Sequence, residues 1–464
     1  MSCNDDIGLS RKQRVFVCVE DVCGTLQFPT PSTDFISPVG NASMNQMPTF
    51  VDSGELRNTL DVLAQFQNAT GPATWSIPMF LRMTGTVGTT QYPQGHALFQ
   101  ALQGGVKAAT TASLNGGILA AGAVIKVDGI TNAGALPEVG VITIGSEKIY
   151  YGTLTQAYSS ATATLASLTR GYNSTSAADA TDNASVTLSS IFYEQDTSSP
   201  SVSIWIEDDH LVRGLSGATV NNCAIAVNNE GAVQFTFSGE GMEMVWAGTS
   251  ALAATAASGD LTVTVDDGEI FKAGAFIWNQ TKNNNRNASG YEIASVSGNV
   301  LTLSNAIAGA TSWATDDVIR GYLGTETVIG TAVESRLSDV YIDGVSTKVR
   351  GMDMTISVPK QYLTDELGTS YPEDFVEDVR NITSSLNLYN RKSDTQYFTQ
   401  GFAGTQKEII LNLGDTQGYI MDLVGKKVQI QVPEISADGP ATAMAISLRY
   451  LGTDSEDSLQ LVCR

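Results

Sequence analysis

The sequence has few of the residues on which catalysis and metal binding depend. Its 464 residues include two histidines, His96 and His210, and neither has a second histidine or a cysteine at the spacing of metal ligands. It contains no G-x-S-x-G elbow, Walker loop or dinucleotide fingerprint. The acidic run before His210 lacks the spaced ladder and terminal glutamate of a calcium loop. We therefore predict that the protein is not an enzyme and uses no metal or cofactor.

Cysteines and long apolar runs are also scarce. The five cysteines include no C-x-x-C pair, and their odd number favours reduced thiols over a disulfide framework. The N-terminus has no apolar stretch behind a basic flank, and no apolar run approaches the length that spans a bilayer. These absences predict a soluble chain that is made in a cytoplasm and does not insert into membranes.

Basic residues are outnumbered by acidic ones. The chain has 26 Lys and Arg against 48 Asp and Glu, which gives a net charge of −22. Proteins that hold nucleic acid in a groove do so largely by neutralising its phosphates with Lys and Arg. We therefore expect this chain to repel DNA rather than to bind it.

The residues that are abundant indicate a mainly β protein. Gly, Ser, Thr, Ala and Asn are frequent, and apolar residues alternate with polar ones in many short segments. Strands are predicted at 14–20, 73–81, 202–207, 232–241, 386–389, 408–413, 427–432 and 444–451, with the polar segment 219–222 between two of them. Helices are predicted at 94–104, which ends on glycine, and at 372–379, which begins with Pro and acids. The segment 54–66 is ambiguous.

Two blocks differ in composition from the rest of the chain. Residues 105–190 have five acids and four bases, and residues 248–322 have seven acids and four bases, so nearly all of the negative charge lies elsewhere. Both blocks show a similar succession of short strands, which suggests a divergent internal duplication. Whole domains are tolerated as insertions at exposed loop tips. We therefore predict a discontinuous framework of 1–104, 191–247 and 323–464 with two inserted all-β domains, 105–190 and 248–322.

The framework segments, in their order, resemble a known family. They are S-G-E-L-R-N-T at 53–59, W-S-I-P-M-F-L-R at 75–82, A-L-F-Q-A-L-Q-G at 97–104, S-I-W-I-E at 203–207, F-S-G-E-G at 237–241, and the stretch 362–389. This order resembles that of the tail tube, or major tail, proteins of long-tailed (siphovirus-type) bacteriophages. The first block, through its segments 144–150 and 168–175, resembles a small β module of phage structural proteins. The resemblance implies a β-sandwich or barrel framework with a flanking short helix, plus two inserted decoration-like β domains.

The resemblance also implies a function and partners. Subunits of this family assemble into hexameric rings that stack into a tube, the conduit for DNA ejection in the virion tail, and assembly takes place in the host cytoplasm. The implied partners are other copies of the chain, a tape-measure protein, tail terminator and baseplate or tip proteins, and DNA that passes without tight binding.

Acidic loops are the candidate functional residues. A channel lined with carboxylates offers DNA no cation for its phosphates, so the genome could slide. The candidate lumen or interface acids are Glu207, Asp208, Asp209, Asp365, Glu366, Glu373, Asp374, Asp454, Glu456 and Asp457. The sequence does not distinguish those that face a lumen from those on solvated outer loops.

Two other functions are compatible with a β-rich, acidic, repetitive chain. An adhesin or receptor-binding protein could bind glycans through Tyr172, Trp278 or Tyr291 in the two blocks. A glycan-active enzyme needs two carboxylates at a defined separation, and no such pair is evident in the sequence. We consider the enzyme the weakest of the three alternatives.

Overall fold

A computed structural model describes residues 8–55, 61–85, 89–108, 111–131, 136–156, 160–189, 191–284, 289–309, 312–364, 366–453 and 456–464. Half of the residues lie in strands and 6% in helices, so the prediction of a mainly β protein is confirmed. No helix in these ranges is long and apolar enough to cross a membrane.

The elements follow the chain in five groups. The first group is β1 (Gln13–Val19), β2 (Phe35–Ile36), β3 (Ser43–Asn45), β4 (Phe50–Asp52), β5 (Gln65–Gln67), β6 (Ala73–Phe80), β7 (Arg82–Met83), α1 (His96–Gln103) and β8 (Gly104–Ala108). The second is β9 (Thr111–Leu114), β10 (Val124–Asp128), β11 (Gly140–Ile144), β12 (Glu147–Thr155), β13 (Ala163–Thr169) and β14 (Ser185–Thr187). The third is β15 (Ile191–Gln195), β16 (Val202–Asp208), β17 (Leu211–Asn228), β18 (Gln234–Gly241) and β19 (Glu243–Ala247).

The fourth group is β20 (Thr249–Ala251), β21 (Thr262–Thr264), β22 (Phe276–Asn279), β23 (Tyr291–Ser297), β24 (Val300–Leu303) and β25 (Val318–Gly321). The fifth is β26 (Thr331–Ala332), β27 (Asp339–Ile342), β28 (Val345–Thr347), β29 (Gly351–Ser357), β30 (Lys360–Tyr362), β31 (Phe375–Glu377), β32 (Asn381–Tyr389), α2 (Gln396–Phe402), β33 (Gln406–Leu413), β34 (Met421–Ile430), β35 (Glu434–Asp438), β36 (Ala441–Leu451) and β37 (Gln460–Cys463). Short 3₁₀ turns lie at Ser10–Lys12, Ser335–Leu337 and Lys392–Thr395.

The long strand β17 joins the two parts of the framework sheet. Its first half pairs with β16 and β19, and its second half pairs with β18 and β29. Gly217 lies between the halves with φ 56, and a Cβ there would lie 2.4 Å from the sulfur of Met242. The polar segment 219–222, predicted from sequence to connect two strands, is part of β17 and contains a register shift against β18. A strand that passes between sheets needs such irregularities in order to bend.

The framework strands and α1 enclose one hydrophobic core. The central strands of this core are β6, β18, β17, β29, β32 and β36, which pair antiparallel in that order. Helix α1 occupies part of the helix predicted at 94–104, and it buries Leu98, Phe99 and Leu102. The ring of Phe99 meets those of Phe235 and Phe237 edge to face, at centroid distances of 5.3 and 5.2 Å. The amphipathic pattern of this segment therefore determines both the helix and its buried face.

The two inserted units share one strand order. Strands β9–β14 close into a barrel in the order β10–β13–β12–β11–β14–β9, and β20–β25 form a sheet in the order β21–β24–β23–β22–β25–β20. If the strands of each unit are numbered from one to six along the chain, both units have the same spatial order, 2-5-4-3-6-1. Leu114 pairs with Val127 to close the first barrel, and a bridge between Leu252 and Val265 occupies the same place in the second unit. The shared order supports the duplication inferred from the sequence.

Both units also pack against the framework. In the first unit, Tyr172 packs on Tyr341 of β27, with ring centroids 4.1 Å apart. In the second, Phe276 meets Trp205 of β16 edge to face at 5.6 Å, within a cluster of buried apolar residues from both parts. Whether either unit folds independently stays a prediction.

The prediction of a helix at 372–379 is wrong. Residues 375–377 form β31, which pairs with β30 so that Phe375 lies opposite Tyr362. Proline followed by acids is typical of a first helical turn, but Phe375 and Glu377 point inward while Val376 is exposed, which is the alternation of a strand. Pairing with a strand 13 or more residues away is a tertiary effect that this local signal does not contain.

Candidate functional site

Glu207 is a buried link between the framework and the second inserted unit. Its carboxylate accepts hydrogen bonds from Arg14 of β1 and, at 2.7 Å, from Arg320 of β25. Burial raises the pKa of Glu207, although the two guanidinium groups favour its charged form. Arg320 also donates to the backbone oxygen of Asp209. This carboxylate is therefore engaged within the subunit.

The neighbouring acids have basic partners too. Asp208 forms an ion pair with Arg213 and accepts a hydrogen bond from the Gln13 amide at 2.7 Å. Asp209 is in a left-handed turn, with φ 58, and lies 3.1 Å from the amine of Lys12. The three acids at 207–209 are thus balanced by four basic side chains. Three of these, Lys12, Arg14 and Arg320, are more than 100 residues away in the chain, so the sequence did not show this balance.

Glu366, Glu373 and Asp374 lie on an exposed loop that joins β30 to β31. We call residues 360–377 the arm. Among the described residues, no Lys or Arg forms an ion pair with any of these three acids. Asp365 belongs to the same loop but lies outside the described residues. The described acids of this loop are therefore available to a partner.

The base of the arm is anchored in the framework. The Tyr362 hydroxyl donates to the backbone oxygen of Gly217 at 2.6 Å. The Lys360 amine donates to the backbone oxygen of Val220 at 3.3 Å and lies 3.6 Å from Glu377. Burial lowers the pKa of Lys360 to about 8, while Glu377 partly offsets that effect. The arm thus has a fixed base and an exposed loop.

Glu456 and Asp457 lie between β36 and β37 and make local contacts. Glu456 accepts a hydrogen bond from Arg380 at 2.9 Å, and Asp457 accepts one from the Thr453 backbone N–H at 2.7 Å. Asp454 lies outside the described residues. Together with Glu207, Asp208 and Asp209, these two acids have partners inside the subunit.

A two-stranded ribbon formed by β4 and β5 exposes large apolar side chains. Val51 and Phe66 are directly opposite each other in this ribbon, and both are more than half exposed. Phe50 and Leu63 are exposed as well. The ribbon pairs with no third strand within the described ranges, and an isolated two-stranded ribbon is marginally stable in water. Exposed apolar surface of this kind marks an interaction site.

The ribbon and the arm lie at the same end of the central strands, which we call the arm end. The Thr70 backbone N–H, just after the ribbon, donates to the backbone oxygen of Ser370 in the arm loop at 2.9 Å. Ala73, the first residue of β6, pairs with Gly241 at the end of β18. On the neighbouring strands Ser357 and Asn381 pair with each other at this end.

The opposite end of the same strands carries Tyr389 and four cations; we call it the basic end. The cations are Lys348, Arg350, Arg391 and Lys392, all of them exposed. An apolar patch of Phe402, Val432 and Ile435 lies nearby: Ile435 of β35 pairs with Met444 of β36, and Val432, just before β35, lies against Gly401, the neighbour of Phe402 in α2. The pairs K-V-R at 348–350 and R-K at 391–392 are visible in the sequence, yet only the strand pairing brings them together.

The solvent face of the four strands β18, β17, β29 and β32 consists mainly of small residues, most of them polar. These are Gln234, Thr236, Ser238, Asn222, Ala224, Ala226, Asp353, Thr355, Ser357, Asn381, Thr383, Ser385 and Asn387, none of which is buried. Asp353 is the one charged residue among them, and Glu240 continues this face at the end of β18, opposite Thr74. We call this surface the polar face. None of the described candidate acids lies on it.

The aromatic residues considered for glycan binding are engaged in packing. Tyr172 and Tyr291 are buried, and Tyr291 meets Trp313 edge to face. Trp278 packs on Tyr322 with ring centroids 5.1 Å apart. His96 is half-buried and hydrogen-bonds Tyr193 at 2.7 Å, and burial lowers its pKa to about 4.

Thiols and metal-binding groups add no further site. Cys18, Cys223 and Cys463 are buried free cysteines and Cys23 is an exposed one, whereas Cys3 lies outside the described residues. Within the described ranges no three His, Cys, Asp or Glu side chains are grouped as metal ligands would be.

In comparisons with known proteins, no family model matches the chain and no curated protein matches it significantly.

Proposed function

We propose that the protein is the structural subunit of a phage tail tube, whose copies form six-membered rings that stack head to tail around a channel for DNA. The observation that carries this proposal is the exposed apolar ribbon at one end of a sheet whose other end carries a second apolar patch. A surface at each end of one subunit favours a heterologous contact, which repeats along an axis.

The ribbon favours a second copy of the chain as its partner. Val51 and Phe66 cannot be covered by the patch of their own subunit, because the nine residues of β32 hold the two ends about 25–30 Å apart. In a stack, however, the ribbon of one copy faces the opposite end of the next. Burying two such side chains stabilises a contact by about 1.5–3 kcal/mol each.

The polar face is suited to line the channel. Apart from Asp353 the side chains that define it are uncharged, and they provide no cation for a phosphate and no large apolar surface for a base. This proposal differs from our sequence-based expectation of a wall of acidic loops, because none of the described candidate acids lies on the polar face. By its resemblance to the family, the tube would also contact a tape-measure protein, a tail terminator and baseplate or tip proteins.

Electron microscopy of the purified protein tests the proposal. Wild-type protein is expected to form rings or hollow tubes with six-fold symmetry. Val51→Glu with Phe66→Glu places two charges on the paired apolar positions, and we expect it to abolish tubes while the subunit stays folded by circular dichroism. Gln67→Glu adds a charge to the same ribbon opposite Phe50 and serves as the control. Isolated trimers, or a stable monomer under all assembly conditions, would contradict the proposal.

A further inference from the structure

The basic end contains a groove that is lined by several Lys and Arg side chains, although the chain as a whole is acidic. Lys348, Arg350, Tyr389 and Arg391 line a groove of about 610 Å³. The Arg350 guanidinium lies 4.4 Å from the centre of the Tyr389 ring, and that of Arg391 lies 6.0 Å from it. Tyr389 therefore holds two guanidinium groups beside one another, an arrangement that suits carboxylates.

The cations of this basic groove are only partly neutralised. Asp438 pairs with Arg350 at 2.5 Å, and Asp339 also lines the groove. Lys348, Arg391 and the adjacent Lys392 form no ion pair within the described ranges. In a chain with a net charge of −22, a local excess of cations is a specific feature. It points to an acidic ligand.

We propose that the basic groove receives the arm loop of a second copy of the chain. The loop carries Glu366, Glu373 and Asp374, which are exposed and make no ion pair within their own subunit among the described residues. Charge complementarity between groove and loop selects the partner and its orientation. This inference rests on the proposed head-to-tail stacking and names the residues that would form that contact.

The geometry requires that the two partners be different copies. The arm is anchored at the arm end through Tyr362 and Lys360. Tyr389 and Arg350 lie at the basic end, at the other termini of β32 and β29. Nine strand residues separate the ends by about 25–30 Å, so a loop fixed at one end cannot fold back into the groove. Subunits stacked in one direction, in contrast, bring each arm to the basic end of its neighbour.

Charge reversal on either side provides the first test. We expect Arg350→Glu with Arg391→Glu to eliminate tubes while rings persist, and Glu366→Lys with Glu373→Lys to do the same. Arg11→Glu with Lys126→Glu changes the net charge by the same amount at two exposed positions away from the groove, and it is expected to form tubes like the wild type. Arg350→Gln with Arg391→Gln removes the charges without reversing them and is expected to shorten the tubes.

Mixing provides the decisive measurement. Neither charge-reversed variant is expected to stack on itself. In a mixture, however, the acidic groove of the Arg350→Glu, Arg391→Glu variant is complementary to the basic loop of the Glu366→Lys, Glu373→Lys variant. The unchanged loop of the former and the unchanged groove of the latter form the native contact. An equimolar mixture should therefore restore tubes, as seen by electron microscopy, and tube length should fall as salt rises. Tubes formed by the groove variant alone, or no recovery on mixing, would overturn the inference. If wild-type protein formed no tubes at all, the proposed function itself would fail.

Discussion

Arg170 donates two hydrogen bonds to Glu147, from Nε and Nη2 to the two carboxylate oxygens, each at 2.7 Å. The backbone N–H groups of Gly171 and Ala178 donate to the same carboxylate at 2.9 and 3.0 Å. Burial raises the pKa of Glu147, but these donors outweigh it and hold the pKa below its usual range. The segments 144–150 and 168–175, which suggested a phage β module, are thus joined by one ion pair.

This pair predicts the stability of the first inserted unit. Arg170→Ala leaves a buried carboxylate without its partner, and we expect it to lower the free energy of unfolding by about 3–5 kcal/mol. Arg170→Lys keeps the charge but loses the two-pronged geometry, so its effect should be intermediate. Lys126→Ala, at an exposed position on β10, should change stability by no more than about 0.5 kcal/mol. Urea unfolding measures all three, and equal stability of Arg170→Ala and wild type would contradict this role.

A second prediction concerns pH and the contact between this unit and the framework. The Tyr150 hydroxyl donates to Glu408 of β33 across that contact, and burial raises the pKa of Glu408 to about 7 from 4.5. Asp343 also raises this pKa, while Lys426 opposes it. The folded state holds the proton of the Glu408 carboxyl more tightly than the unfolded state does. The contribution of this protonated carboxyl to the stability of the fold is therefore complete below about pH 4.5 and is lost as pH rises through about 7.

Glu408→Gln should therefore weaken the pH dependence of stability between pH 5 and 8, a window set by that pKa. Thermal unfolding across this range measures the effect. Glu434→Gln, at an exposed position on β35, is the control and should keep the wild-type dependence. An unchanged profile in Glu408→Gln would show that another group is responsible.

Local patterns predicted the elements better than the contacts between them. The helix around Leu98 and the strands at 73–81 and 408–413 could be identified because their apolar residues repeat with the period of the element. The residues at 372–379 were misassigned because pairing of Phe375 with Tyr362 outweighs a local helix signal. Glu207 was expected in an acidic loop, but Arg320, its partner, is 113 residues away. Charge balance of this kind depends on tertiary structure.

Removal of the second inserted unit gives a third prediction. Gly248 and Gly321 are close, with a backbone hydrogen bond of 3.2 Å, so residues 249–320 can be deleted without stretching the framework. The deletion nevertheless uncovers Trp205 and Val212, whose cluster includes residues of that unit. Each large side chain that loses its cover costs about 1.5–3 kcal/mol, which is a large part of a typical stability of 5–15 kcal/mol.

We therefore expect the deletion variant to unfold at a lower temperature and to aggregate more than the full chain. Scanning calorimetry and soluble yield provide the measurements. A deletion variant as stable and soluble as the full chain would show that the framework does not depend on this contact.

The fourth prediction concerns the polar face as the channel wall. Thr355 and Thr383 are exposed and directly opposite each other on β29 and β32. Replacing both with Lys adds two cations per subunit to this face, and each cation can neutralise a phosphate. We expect assembled tubes of this variant to retain short duplex DNA in cosedimentation at 50 mM salt, and to release most of it at about 200 mM because phosphate contacts weaken steeply with salt. Wild-type tubes should retain none.

Two controls separate the channel wall from the outer surface. Thr355→Ser with Thr383→Ser tests the positions without charge and should behave as the wild type. Val124→Lys with Val300→Lys adds the same charge at exposed strand positions of the two inserted units, and it should retain less DNA than the Thr355 and Thr383 variant. The polar face itself offers phosphates no counter-charge, although Arg449 of β36 lies beside it, opposite Thr383. Tight retention by wild-type tubes would therefore contradict the assignment of the polar face to the channel. Equal retention by both lysine variants would mean that the DNA is held on the outside.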